Sequence, residues 1–328
     1  MNLKNFNKST FVIAEAGINH NGSIDIAKNM IKKASESGAN AIKFQTIIPD
    51  EITSKSENPD LHNMLQEWVL SKNQHIILQK FALKNKIIFF STPFGRKSAK
   101  LLNEIKVPLI KIASGEITNH DLISYVAKMH KPIILSTGMS NISEITSAVQ
   151  IIKNHKCPFA ILHCISSYPT KISDTNLSTI PFLKKLFDTT IGFSDHTIGI
   201  EASLAAVSLG ATIIEKHFTL DKKMNGPDQK LSLEPNELLD LTTKIREIEK
   251  SIGIPRLNQL KSEEPFQKNM RKSIAASKDI TKGQIIKYSM LTFIRPAKGI
   301  SPTLINEIIG RKSKNFIKKG TILQWNNF

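Results

Sequence analysis

Residues 212–220 read TIIEKHFTL: a small polar residue, two β-branched apolar residues, then Glu215, Lys216 and His217. The stretch opens like a buried strand, yet burying a single unpaired charge costs several kcal/mol. An apolar run that finishes on three ionisable side chains therefore needs a reason. Seven other runs follow the same plan: FVIAEAG (11–17), AIKFQT (41–46), IIFFSTP (87–93), PLIKIASG (108–115), PIILSTG (132–138), FAILHCIS (159–166) and TIGFSD (190–195). Each has the length of a strand, and the intervals carry helical periodicity, as in IDIAKNMIKKASESG and EASLAAVSLG. Alternating strand and helix gives a parallel sheet, open or closed. Eight repeats predict an α/β fold of the (β/α)8 TIM-barrel type, which typically takes about 250 residues.

Closure supplies the reason. Active sites of such barrels lie at the C-terminal ends of the strands, so each strand should begin apolar and end polar. The polar ends are Glu15 and His20; Lys43 and Gln45; Thr92; Lys111 and Ser114; Ser136; Ser166 and Tyr168; Ser194 and His196; Glu215 and His217. An open doubly wound sheet would gather function at one switch point instead.

The barrel is expected over residues 1–250. Residues 251–268, within SIGIPRLNQLKSEEPFQKNM, read as a linker with a short helix. Residues 269–328 change character: twelve Lys/Arg against two Asp/Glu from Asn269 to Phe328, a net charge of +10 out of +17 for the chain. ITKGQII (280–286) and IKKGTIL (317–323) echo one another across a Lys-Gly turn, predicting a small pseudo-symmetric β-rich module.

Composition narrows the function classes. The basic charge comes without zinc-finger spacing, an RNP motif or interleaved aromatics, so a solvated Lys-rich surface that steers an anionic small substrate is expected rather than nucleic-acid binding. No apolar run approaches the roughly 20 residues that span a bilayer, and MNLKNFNKST lacks the apolar core of a secretion signal. Cys157 and Cys164 form no CxxC pair, and a cytoplasmic protein is expected.

His196 and His217 end consecutive strands. A histidine at a strand end can be a satisfied polar residue, but two of them converging at a barrel mouth suit a divalent ion with positions left open for substrate. The donor set favours Mn2+ over a structural Zn2+. Lys43 and Lys111 sit in matching contexts, IKF and IKI, on otherwise buried strands. They predict a cradle for phosphate and carboxylate, or an internal ion pair with Glu15 or Glu116. STPF, ASGE and LSTG add hydroxyls and loop-start N–H groups suited to a phosphoryl group. GINHNGS (17–23) fits neither P-loop nor GxGxxG spacing and reads as a tight turn.

The ordered set EAGINHNG, IKFQT, STPF, KIASGEITN, ILSTGM, HCISSYPT, GFSDHT, EKHFTLDKKMNGPD and IRPAKGIS resembles the sialic acid synthase family, which includes N-acetylneuraminate, legionaminic acid and pseudaminic acid synthases. The resemblance covers nearly the whole chain. It implies a C-terminal antifreeze-like (SAF) domain, a homodimer with that domain over the partner's barrel, and condensation of phosphoenolpyruvate with an N-acylated mannosamine-type sugar to a nine-carbon 2-keto acid and phosphate. It also implies His196 and His217 as Mn2+ ligands, with Mg2+ or Co2+ as alternatives. Phosphoenolpyruvate would lie on Lys43, Thr92, Lys111, Ser114, Ser166, Tyr168 and Ser194. The sugar would lie on Glu15, Gln45, Ser136 and Asp228, with Arg295 reaching it from the other subunit. Glu15 or Glu116 would stabilise the cationic centre or take a proton from water. Where the sialic acid pattern has EIG, KHQTH, TN-x-YPT and ERHF, this chain has EAG, KFQT, ISSYPT and EKHF, a lean toward bacterial legionaminic-type synthases. The rivals are a metal-dependent hydrolase or lyase on the same barrel, which would want HxH on the first strand, and a basic glycan or nucleic-acid binder with an inactive barrel.

Overall fold

A computed structural model describes residues 9–328; most of the segment read above for a secretion signal lies outside the described residues. The chain divides between Gly253 and Ile254 into two compact units.

The first unit is a closed barrel of eight strands: β1 (Phe11–Gly17), β2 (Ala41–Thr46), β3 (Ile88–Pro93), β4 (Ile110–Ile112), β5 (Ile133–Ser136), β6 (Phe159–Cys164), β7 (Thr190–Asp195) and β8 (Ile213–His217). Every neighbouring pair is parallel, and β8 closes on β1 with Phe11 opposite Ile213 and Glu15 opposite His217. Helices follow the strands, with starts fixed by caps: Ser71 with Gln74, and Asn141 with Glu144, form capping boxes.

Period two sorts the side chains. The outward set, such as Val12, Ile42, Ile112 and Phe193, packs under the helices in the main core. The inward set begins with an apolar plug at the N-terminal end, including Phe11, Ile13, Phe90, Ile134, Leu162 and Ile213. Each such side chain contributes ~1.5–3 kcal/mol by leaving water. Two residues further along the same face, the plug gives way to Glu15, Lys43, Lys111, Ser194 and Glu215, all buried. At Gly192, a Cβ would lie 2.4 Å from the Ile213 carbonyl oxygen and 2.6 Å from Leu162, so only glycine fits this point of the plug.

The helix Pro235–Ile252 runs two residues past the barrel end expected from sequence, and stops at Gly253, whose φ is +53°. The second unit holds the expected short helix, Glu264–Met270, and an antiparallel pair, β9 (Ser273–Ala276) and β10 (Leu291–Ile294). The two echo segments meet: Ile280 and Ile317 exchange backbone hydrogen bonds of 2.8 and 2.9 Å. Gly283 and Gly320 turn the chain at φ +78° and +83°. Past these turns the partners of Ile285 and Ile322 are single bridges rather than the short strands expected, and Ile280, Ile286, Ile317 and Leu323 fill a core of their own.

Candidate active site

The question raised by Glu215, Lys216 and His217 is answered by alternation. Lys216 points outward, to a buried pair with Asp195 at 3.0 Å, and also donates to the Thr197 carbonyl. Ser203 Oγ donates to the same Asp195 carboxylate at 2.6 Å. Glu215 and His217 point inward, into a cavity of roughly 350 Å3 at the C-terminal mouth.

The floor of the cavity is a buried charge cluster. Lys43 Nζ lies 2.8 Å from Glu15 Oε1 and 3.7 Å from Glu215, and donates to Thr92 Oγ1 at 3.1 Å. Lys111 Nζ lies 3.6 Å from Glu215, which also accepts a 2.9 Å hydrogen bond from Ser194 Oγ. Both lysines are therefore internally paired, with Glu215 bridging them. Glu15 Oε2 and Glu215 Oε2 are buried without a hydrogen-bond partner among the described residues. Burial raises the Glu15 pKa to about 6 against the pull of Lys43. For Glu215 burial acts the same way, but Lys111 and Lys43 outweigh it and its pKa falls below the ordinary value. Burial opposes the Lys43 ammonium, yet Glu15 and Glu215 hold its pKa above the ordinary lysine value; Lys111, desolvated and repelled by Lys43, lies below it.

Above the floor, the rings of His196 and His217 stand 5.3 Å apart, centre to centre. His196 Nδ1 lies 2.8 Å from the Ile165 carbonyl, which accepts only, so Nδ1 carries a proton and Nε2 is the nitrogen left for a ligand; burial opposes the charged ring, but Cys164 and the Ile165 carbonyl hold its pKa above histidine's usual value. Among the described residues His217 Nδ1 is buried without a hydrogen bond, its nearest carboxylate being Asp228 at 3.7 Å. Desolvation, helped by His196 and Lys43, lowers the His217 pKa well below histidine's usual value, so this ring is neutral, as a metal ligand must be. Among the described residues no three His, Cys, Asp or Glu side chains form a closed metal cage. Two imidazoles, one anchored through its far nitrogen, fit an open divalent site whose other positions go to water and substrate.

The walls come from the loops. Tyr168 packs its ring 4.3 Å from His196. Gly138 N donates to Ser114 Oγ at 3.0 Å, and a Cβ there would lie 2.2 Å from Ser166 Oγ, so glycine keeps these two hydroxyls together. Ser136 Oγ is buried without a hydrogen bond among the described residues. Gln45, Thr92 and Asp228 complete the predicted lining.

One residue predicted from the barrel is not on it. Glu116, in the 3₁₀ turn Ser114–Glu116, is outside the lining and accepts from Asn119 Nδ2 at 2.8 Å, and Lys111 pairs with Glu215 rather than with it. The turn rotates the carboxylate away from the strand axis that carries Lys111. Arg295 belongs to the second unit, just after β10. Conversely, sequence reasoning gave Glu215 no role and missed Phe94 and Met139, which add apolar wall. The period-two pattern already put Glu215 on the inner face, in step with His217; nothing local marked Phe94 or Met139.

The sequence profile described as NeuB family matches residues 30–256, and that of the SAF domain matches residues 271–328. The N,N'-diacetyllegionaminic acid synthase of Campylobacter jejuni is 43% identical over 94% of this chain and 97% of its own. The enzyme of the same name from Legionella pneumophila is 36% identical over 96% of this chain and 93% of its own. Among solved structures, an N-acetylneuraminic acid (sialic acid) synthetase from Leptospira borgpetersenii in complex with citrate superposes with a TM-score of 0.76 at 42% identity, over 79% of this chain and 90% of that one. With matches of this extent to a profile and to relatives along the full length, the chain belongs to the NeuB family.

Proposed function

We propose that this protein is a nonulosonic acid synthase that joins phosphoenolpyruvate to the open-chain aldehyde of an N-acylated mannosamine-type sugar, adds water and releases phosphate. The observation that carries the reading is the cavity floor, where two buried ammonium groups and two buried carboxylates, each with one oxygen that has no hydrogen bond among the described residues, face two imidazoles. A hydrolase of the rival kind would bring histidines from β1, and β1 brings Glu15.

Lys43 and Lys111 hold the phosphate and carboxylate of phosphoenolpyruvate, with Thr92, Ser114, Ser166 and Ser194 as hydroxyl donors and Tyr168 over the mouth. Gln45, Ser136 and Asp228 orient the sugar so that its aldehyde carbon meets carbon 3 of the enol. His196 and His217 would hold a Mn2+ ion, or Mg2+ or Co2+ in its place, which would supply Lewis acidity to the aldehyde when bound. Carbon–carbon bond formation leaves positive charge at C2, beside the carboxylates of Glu15 and Glu215, and the former aldehyde oxygen takes up a proton to become a hydroxyl. One carboxylate then takes the proton of the water that adds at C2, and C–O cleavage expels phosphate. Two acidic groups whose surroundings drive their affinities for protons apart are suited to opposite roles: Glu15 holds a proton more readily and Glu215 accepts from water.

The sugar is 2,4-diacetamido-2,4,6-trideoxymannose, in keeping with the names of the Campylobacter and Legionella relatives and with the apolar faces of Phe94 and Met139. The enzyme is a cytoplasmic homodimer that binds neither nucleic acid nor membrane. Both cysteines are free, and no helix among the described residues is long and apolar enough to cross a membrane. Ile254, Leu257, Phe266 and Met270 of the second unit are exposed apolar side chains for a partner to cover, with Arg295 acting on the partner's sugar.

The direct test is phosphate release from phosphoenolpyruvate on adding this sugar beside N-acetylmannosamine. Faster release with the first is expected; silence with both overturns the reading. Stripping divalent ions with a chelator should abolish turnover without changing the circular dichroism spectrum, and Mn2+ should restore it; full activity in chelator removes the metal role.

A further inference from the structure

Asp228 faces the cavity from a segment after β8 whose only regular element is the 3₁₀ turn Gln229–Leu231. A carboxylate on irregular backbone needs outside support to keep its aim. The structure shows where that support comes from: the GINHNG turn after β1, which the chemistry above leaves without a task.

Asn19, 1% exposed, uses both amide protons on the β8 side, donating to the Phe218 carbonyl and to Ser232 Oγ, each at 2.9 Å. Ser232 Oγ passes the tie on by donating to the Asp228 carbonyl at 2.6 Å. Next to Asp228 in sequence, Gln229 Nε2 donates to the Asn19 carbonyl at 3.2 Å. Its Oε1 accepts from Thr219 Oγ1. Asn19, Gln229, Ser232 and Thr219 are all buried, so these bonds compete little with solvent. Asn19 Oδ1 has no hydrogen-bond partner among the described residues, so the amide serves the site through its donor end.

We propose that Asn19 is a positioning residue for Asp228: through Ser232 and Gln229 it locks the loop after β8 to the loop after β1 and aims the carboxylate at the sugar. This rests on Asp228 being a sugar-side group.

The test is a double-mutant cycle with both substrates varied: Asn19→Ala, Asp228→Asn and the pair, with Ser232→Ala as the milder variant. Asn19→Ala and Asp228→Asn should each raise the KM for the sugar about tenfold, leaving that for phosphoenolpyruvate within about twofold. The pair should be no worse than Asp228→Asn alone, because both changes remove one interaction. Ser232→Ala should shift the sugar KM the same way by less, and it decides the matter should Asn19→Ala not fold. Additive effects, equal losses on both KM values, or a lower melting temperature with unchanged kinetics overturn the proposal. If Asp228→Asn leaves the sugar KM unchanged, the sugar-side reading of Asp228 has failed; if it raises that KM and neither Asn19→Ala nor Ser232→Ala does, only the positioning role has.

Discussion

Three glutamates lie within reach of a sequence argument about acid–base chemistry, and side-chain direction separates them. Glu15 and Glu215 each keep a buried oxygen with no hydrogen bond among the described residues at the floor of the cavity, while Glu116 is half-buried and occupied by Asn119. Glu215→Gln should cut kcat ~100-fold or more, since the change removes a proton acceptor and loosens both lysines. Glu116→Gln should stay within about threefold, as a group off the cavity lining loses no contact with the reacting atoms. Phosphate release under saturating substrates checks both, and the reverse ranking would return the acid–base role to Glu116. The inward placing of Glu215 was legible from alternation alone. That it bridges Lys43 and Lys111 was not, because the three residues come from β8, β2 and β4 and meet only when the sheet closes.

At the scale of elements, the ends of β7 and β8 are held behind the two imidazoles by the Asp195–Lys216 pair, both nearly inaccessible. Lys216→Met would strand the Asp195 carboxylate in the core and should lower stability by about 3–5 kcal/mol. Lys216→Arg, which keeps the charge, should recover much of it. Urea unfolding measures the difference, and a loss below about 1 kcal/mol for Lys216→Met would show that the pair is not fully desolvated. Gly192→Ala tests the plug from the other side: a methyl group 2.4 Å from the Ile213 carbonyl has nowhere to go, and about 1–3 kcal/mol of overpacking strain is expected. The strand pattern predicted both faces of the barrel, yet β4 is only Ile110–Ile112, because the backbone turns into the 3₁₀ segment immediately after Ala113.

For the molecule as a whole, acid should loosen the fold through buried histidines. Burial lowers the His20 pKa to about 4 from 6.5, and His75 is lowered for the same reason. Between those two values the unfolded chain binds a proton that the folded chain does not, so stability rises with pH across the window and is lost on acidification. His20 alone accounts for about 3 kcal/mol by pH 4. Glu15, raised from 4.5 to about 6, works in the opposite sense over the middle of the window, with a smaller shift. Urea midpoints should fall from pH 7 to pH 5, and His20→Gln should flatten the slope; an unchanged slope would mean that His20 is not the group responsible. The proposed dimer has its own test. Co-expressed Arg295→Ala and Lys111→Met chains, each inactive alone, should regain about a quarter of wild-type activity if the arginine acts in trans, because each mixed dimer then keeps one intact site. No recovery would put Arg295 with its own barrel.

The sequence by itself determined the period-two and helical alternation, hence the closed barrel, the polar strand ends and the inner face shared by Glu15, Lys43, Lys111, Glu215 and His217, since these follow from local geometry repeated eight times. It also marked residues 269–328 as a separate module by charge and by an echo whose halves turn out to pair at Ile280 and Ile317. Only the tertiary structure decided which charges meet which. The partner of an ammonium in a closed barrel is fixed by strand register and by the direction a loop leaves its strand. Both are set by packing among residues far apart in sequence, so Glu215 bridges the lysines, Glu116 turns aside, and Asn19 reaches across to hold the segment that carries Asp228.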